Sequence, residues 1–282
     1  MRRFHMKKGE WKFYIYLIPI AAIMGLPMVY IFCHAFKPMD ELFAYPPRFL
    51  VKHPTLDNFR NLMQLSNGTA IPWTRYLFNS ILVTAGVVLC SVAFSTMAGF
   101  ALAKLKFKGK KLFLNINTAA LMFVSGAVAI PSFLIVNKLH ILNTYWAHIL
   151  PSIAMPVGLF LVTQFIGQVP DELIEAGVVD GASHYIIYRK IILPMIRPAI
   201  VTVVILSFQG VWNNMATSTL YIDEENLRTF AFYMGTLSSN ANAVAGQGLA
   251  AASALIMFIP NIVIFILMQS NVMNTMAHSG LK

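Results

Sequence analysis

Apolar residues run through this chain in stretches of bilayer length, each closed by charge. Charge-free intervals extend from Lys12 to Lys37, Arg75 to Lys104, Lys111 to Lys138, Lys138 to Asp171, Arg197 to Asp223, and onward from Arg228. Crossing a bilayer takes roughly 20 mainly apolar residues. The pattern therefore predicts an all-α integral membrane protein with six transmembrane helices, at about 13–36, 76–103, 112–137, 146–167, 198–220 and 249–271.

Composition agrees, because the 282 residues are 57% hydrophobic and only 11% charged, where a soluble domain carries about 25% charged residues. The first apolar run is too long for a signal-peptide core and lacks a small-residue cleavage site, so it reads as a spanning anchor. The net charge of +10 does not indicate nucleic acid, since the basic residues sit in short clusters beside the spans. The two densest, in residues 1–12 and 104–111, fall on one side of the membrane if the spans alternate. By the positive-inside rule that side is the cytoplasm, which places both termini inside. The chain reads as one multi-pass domain, 1–282, of a bacterial-type cell membrane. Cys33 and Cys90 lie within spans and have no metal or redox spacing, so they read as packing residues.

The loops add detail. "TLDNFRNLMQL" has a helical cap signal and apolar spacing, and predicts a short helix outside the membrane. Pro131 predicts a kink within span 3, and Pro151 and Pro156 an irregular span 4. Lys104 to Lys111 reads as a solvated, lipid-facing inner turn.

One segment breaks the apolar pattern. Val169 to Pro194, "VPDELIEAGVVDGASHYIIYRKIILP", holds four acidic and two basic residues between spans 4 and 5. Proline at a first-turn position, followed by Asp171, Glu172 and Glu175, suits a helix start. Asp180-Gly181 stops that helix, with Gly181 free to take positive φ. Ser183 can cap a second short helix, which predicts Tyr185, Ile186 and Tyr188 as a compact apolar patch. Helix, tight turn and helix form either a knob for a socket on another protein or an amphipathic loop resting on headgroups; spacing fits both.

The segment resembles the EAA loop of ATP-binding-cassette importer permeases, which reads E-A-A, three residues, G, nine residues, I-x-L-P. Glu175, Ala176, Gly177, Gly181, Ile191, Leu193 and Pro194 stand at the matching positions, with Gly177 replacing the second alanine. "FNSILVT", "AGFALAKLKFKGKK", "LNTYWAHILPS" and "FQGVWNN" are similar to the smaller, six-span permease of maltose-transporter-type carbohydrate importers. The resemblance implies a second related permease subunit, two copies of a cytoplasmic ATPase and an extracytoplasmic solute-binding protein, with carbohydrate as the cargo. It also implies that Glu175, Ala176, Gly177, Asp180, Gly181, Ala182, Tyr185, Tyr188, Leu193 and Pro194 couple to the ATPase.

No G-x-x-x-x-G-K-[ST] sequence occurs in the chain, so no cofactor is expected on it, and ATP and Mg belong to the partner subunits. Gln209, Trp212, Asn213 and Asn214 in span 5 are candidates for a substrate path, because polar groups in spans tend to face a cavity and an aromatic ring can stack on a sugar. Equally, they can pack and bond to neighbouring helices. The uncharged outer loop with Ser239, Asn240, Ala241 and Asn242 resembles one that reaches into the binding protein; an ordinary connector fits as well. A non-sugar solute such as a polyol or phosphoglycerol compound would need the same architecture. An integral-membrane enzyme is disfavoured, since the spans hold no metal-ligand spacing or nucleophile-base pair. His140 and His148 read as interfacial residues of an outer turn.

Overall fold

The computed structural model describes residues 11–67, 71–124, 126–239 and 245–279. All regular structure among them is helical. The helices are α1 (Trp11–Ala35), α2 (Asp57–Asn67), α3 (Trp73–Lys104), α4 (Lys110–Ala120), α5 (Ala129–Lys138), α6 (Tyr145–Ile153), α7 (Pro156–Gly167), α8 (Asp171–Val179), α9 (His184–Met195), α10 (Arg197–Trp212), α11 (Ala216–Tyr221), α12 (Phe230–Ser239) and α13 (Ala245–Ser279). Single turns at Met39–Leu42 and Glu225–Leu227 complete the order.

Three helices are each long and apolar enough to cross a membrane, within α1, α3 and α13. The pairs α6 with α7, bent by 42°, and α9 with α10, bent by 79°, bring the total to five if each counts as one span. Expected span 4 is thus broken where its prolines suggest: α6 ends before Ala154–Met155, and Pro156 starts α7, the residue ahead of a proline being pushed out of helical geometry. Expected span 3 is not one helix. Residues 121–124 and 126–128 are non-helical, and Pro131 lies in the first turn of α5 instead of kinking a continuous span. A first-turn proline is harmless because its missing N–H would have had no helical acceptor. Expected span 5 stops at Trp212, and the chain re-enters helix at Ala216.

The chain packs as two compact units, residues up to 70 with 234–258, and 71–233 with 259 onward. In the first, Ala35, Ala251 and Ala252 form a small core with Phe36 and Phe59. Buried Asn58, on α2, donates its amide to the carbonyls of Ala35 at 3.0 Å and Lys37 at 2.8 Å, satisfying the end of α1. Helix α2 is the short helix that "TLDNFRNLMQL" predicted.

In the second unit α3 is the spine. Ser91, Ser95 and Gly99 repeat every fourth residue and let α6 and α7 come close. A Cβ on Gly99 would stand 2.8 Å from Val162 Cγ1, and Ser91 Oγ donates to Ile153 O at 3.3 Å. Small residues at such crossings are how helices associate where lipid supplies no hydrophobic drive. The main core gathers at the Lys104 end: Phe100, Val162, Ile166, Val169, Ile187, Ile192, Ile196, Ala199 and Val203. The Trp73 end is tied by polar bonds. Asn79, wholly buried, donates to Asn226 O at 2.8 Å and Arg228 O at 2.9 Å and accepts from Tyr145 Oη at 2.8 Å. His148 is also buried, bonded through Nδ1 to Thr217 Oγ1 and through Nε2 to Leu227 O, so it is a core crosslink and not the interfacial residue expected.

Candidate functional site

The charged segment folds as two helices joined by a tight turn. Asp171 and Glu172 occupy the first turn of α8, where acidic groups favour the helix dipole. Its end is fixed by backbone: Gly181 N–H bonds Val178 O at 3.0 Å and Ala182 N–H bonds Gly177 O at 2.9 Å. This pair of bonds requires left-handed backbone at the intervening residue, and Gly181 supplies it with φ of 77°. A Cβ there would meet nothing within 4 Å, so glycine serves conformation and not space. Ser183 then caps α9, its Oγ accepting Ile186 N–H at 3.4 Å.

Helix α9 is continuous but π-helical over Tyr188–Ile192. The Leu193 N–H reaches back five residues to Tyr188 O, immediately before Pro194, which has no N–H to give. The bend into α10 falls at Ile196, beyond Pro194, and Pro198 lies in the first turn of α10.

Glu175, Ala176, Asp180 and Gly181 are exposed, Gly177, Ala182 and Leu193 are half-buried, and Pro194 is exposed. Gly177 lies where the two helices touch: a Cβ would stand 3.3 Å from both Ile187 Cγ1 and Ile191 Cδ1. Val179, at 86% exposed, with Val178, Leu173 and Tyr185, leaves an apolar surface uncovered in this chain. Tyr188 does not share it. Its hydroxyl lies 2.8 Å from Thr96 Oγ1 on α3, and its ring meets that of Phe100 at 5.8 Å between centroids.

Lys104 corrects the expectation of a solvated basic turn. Its side chain is 8% exposed, and its Nζ donates to Asp171 Oδ1 at 2.6 Å and to Val169 O at 2.5 Å. Lys110 turns back to donate to Ala103 O at 3.1 Å, closing the end of α3. The Lys104 hydrogen bond, and then its charge, hold the Asp171 carboxyl below the usual carboxylate range.

The span 5 candidates separate. Trp212, 5% exposed, stacks on Phe208 at 5.6 Å, so its ring is enclosed by protein. Asn213 exchanges amide bonds with Asn261 of α13 at 3.3 and 3.4 Å, and Gln209 is exposed. Asn214 Oδ1 accepts Thr217 N–H at 3.3 Å and lines a cavity of about 680 Å³ with Ser132, Ser152, Ser207, Thr217 and Tyr221. Ser239 is the exposed last residue of α12; Asn240, Ala241 and Asn242 lie outside the described residues. Among the described residues no three His, Cys, Asp or Glu side chains converge as a metal site needs.

Lys104, Thr96 and Val179 escaped the sequence reading. Only for Lys104 was a signal present: it is the charge that closes the second apolar interval, as Asp171 closes the fourth.

An all-helical, multi-pass membrane bundle with a charged two-helix projection is the architecture of a transport-system membrane component. The chain belongs to the family of binding-protein-dependent transport system inner membrane components, whose model matches residues 91–272, and it is a multi-pass protein of the cytoplasmic membrane. A probable ABC transporter permease of Bacillus subtilis (strain 168), YurM, is 31% identical over 280 residues, covering 97% of this chain and 89% of that protein. The arabinooligosaccharide transport permease AraQ of Halalkalibacterium halodurans is 28% identical, covering 97% and 96%. Among solved structures, a bacterial ABC transporter that imports the acidic polysaccharide alginate has a chain of the same fold, with a TM-score of 0.78 at 20% identity over 94% of this chain and 98% of that one.

Proposed function

We propose that the chain is one of two related permease subunits of an ATP-driven importer for an oligosaccharide or related carbohydrate. An extracytoplasmic solute-binding protein delivers the sugar. ATP and Mg are bound and hydrolysed on two copies of a cytoplasmic ATPase, and residues 169–194 couple that hydrolysis to the spans. The observation that carries this reading is the projection itself: Gly181 at φ of 77° turns one helix, whose apolar residues are left uncovered, into a second that is buried in the bundle. Glu175 is an exposed acidic group of the segment, available to a basic residue of the ATPase.

Carbohydrate as the cargo is supported by the relatives. Besides arabinooligosaccharides, they include permeases named for trehalose in Mycobacterium tuberculosis and for galactooligosaccharides in Bacillus subtilis. In this reading Asn214 and the hydroxyls around its cavity would meet sugar hydroxyls, and the segment from Ser239 to Asn242 would meet the binding protein. A non-sugar cargo is the second reading; the relatives also include an osmoprotective-compound uptake permease of Synechocystis, 28% identical over 220 residues.

The test is purification of the tagged chain in mild detergent at native expression level, with mass spectrometry of its companions. Wild type is expected to bring a second multi-span protein and an ATPase; Glu175→Arg and Gly181→Leu are expected to lose the ATPase alone. A chain that purifies by itself, or variants that keep every companion, would overturn the coupling assignment. Uptake of labelled oligosaccharides against polyols by the same cells separates the two cargoes.

A further inference from the structure

Thr96, Phe100 and Lys104 follow one another at four-residue steps on α3, which sets them in one row along the helix. Each holds a different point of the 169–194 segment. Lys104 takes its entry, bonding Val169 O and the Asp171 carboxylate. Phe100 meets the Tyr188 ring within the core that also contains Ile187 and Ile192. Thr96 takes the Tyr188 hydroxyl. The direction of that last bond follows from proton count: Thr96 Oγ1 lies 2.7 Å from Val92 O and gives its one proton there, so Tyr188 is the donor at 2.8 Å.

The lysine is asymmetric in a telling way. Its side chain is 8% exposed while that of Asp171 is 74% exposed, so the cation is sunk in the bundle and its counter-charge arrives from the projecting segment. The backbone leaving the segment, by contrast, turns through 79° at Ile196. Packed side chains joining the segment to one long helix are a contiguous physical route by which displacement of one can reach the other.

We propose that this row is the transmission element, through which displacement of α8 and α9 is delivered to α3, with Lys104, Phe100 and Thr96 acting as positioning residues. The proposal rests on the reading of 169–194 as the ATPase-coupling segment. Helix α3 is 32 residues long, about 48 Å at 1.5 Å per residue, and its far end holds the backbone of 226–228 through Asn79. Movement taken up at Lys104 is therefore carried across the bilayer by one rigid body.

The test uses the whole importer, reconstituted in lipid vesicles with its ATPase, partner permease and binding protein, and reads sugar taken up per ATP hydrolysed. Lys104→Met, Thr96→Val and Tyr188→Phe are each expected to keep the ATPase bound and to lower that ratio about fivefold, the effect of one hydrogen bond. Thr96→Val with Tyr188→Phe should cost no more than either alone, since both remove the same bond. Lys104→Arg, and the exchange Lys104→Asp with Asp171→Lys, should recover part of the loss. Destabilisation alone lowers the amount of complex and not the ratio. An unchanged ratio in all three single variants overturns the proposal, as does loss of the ATPase from them, which would make the row a docking support. Glu175→Arg is run beside them: if it too keeps ATPase and ratio, the coupling assignment itself has failed; if it releases the ATPase while the row variants leave the ratio unchanged, only the row has.

Discussion

Helix α8 buries none of its nine residues, whereas α9, joined to it by the four residues 180–183, sinks Ile187 and Ile192 to 0% exposure. Their local patterns hardly predict this. "LIEAGVV" is as apolar as "HYIIYRKII" is aromatic and basic, and both carry a helix-start signal, the first-turn Asp171 and Glu172 in one and the Ser183 cap in the other. The difference lies in what stands beside them. Helix α9 has α3 and α7 against it, so its aliphatic face is covered within the chain. Helix α8 meets α9 at Gly177, Lys104 at Asp171 and the main core through the half-buried Ile174, and its valines face outward. One helix is built into the bundle and the other keeps its apolar residues exposed, as the proposed coupling role requires.

Four changes break or sharpen that contrast, taken in order of their effect on the folded chain. Ile187→Asp buries a carboxylate among Phe100, Val162 and Ile166 and is expected to cost about 4 kcal/mol or more, so that size-exclusion of a fluorescent fusion shows no monodisperse peak. If it is tolerated, α9 is not anchored. Gly181→Val forces a β-branched residue into left-handed backbone, at about 1–2 kcal/mol, with Gly181→Asn milder; a detergent thermal shift assay ranks them. Gly177→Ala gains about 1 kcal/mol of helix propensity, opposed by the 3.3 Å approach to Ile187 and Ile191. The net is expected to be a gain under about 1 kcal/mol by the same assay. Val179→Asp, on a residue 86% exposed, should leave stability within about 0.5 kcal/mol while reducing ATPase recovery. Equal loss of fold from Val179→Asp and Ile187→Asp would erase the distinction between the helices.

Acidity probes the joint between them and α3. The Asp171 carboxyl is depressed in the folded protein, so its contribution is present above the carboxyl's unfolded value and is lost only as pH falls through the lower, folded one. Protection of the α8 amides from hydrogen exchange, taken relative to the intrinsic rate at each pH, is therefore expected to hold down to the ordinary carboxylate range near pH 4 and to fall below it. In Lys104→Met that protection should be lower throughout and should lose most of its dependence on the Asp171 carboxyl.

The sequence made the membrane class, most of the spans and the two-helix projection legible for a common reason: each is local. Run length, a proline, a capping serine and a glycine at a turn act within a few residues, and α1, α3, α13, Gly181 and Ser183 all stand where those signals put them. Where the sequence reading failed, the deciding partner was distant. The non-helical residues 121–124 and 126–128 carry only the Ser125-Gly126 turn signal inside an apolar run, so a span 3 merely kinked at Pro131 was the natural expectation. Lys104 reads as one of a run of lysines until α8 brings Asp171 to it from 67 positions away. His148 reads as interfacial until Thr217 and Leu227 enclose it. Tyr188 and Tyr185 are three residues apart and alike in chemistry, and only the position of Thr96 sends one inward.

By itself the sequence determined that the chain spans a bilayer as helices and keeps one charged, capped, glycine-turned segment out of it, because hydrophobic length and turn chemistry need no knowledge of neighbours. The tertiary structure alone decided which face of that segment is held and which is offered. Burial of Ile187 and Ile192, the sunken Lys104 cation and the enclosed Trp212 ring each depend on helices far away in sequence, and a lysine or an aromatic residue acquires its role from the dielectric and the partners that packing sets around it.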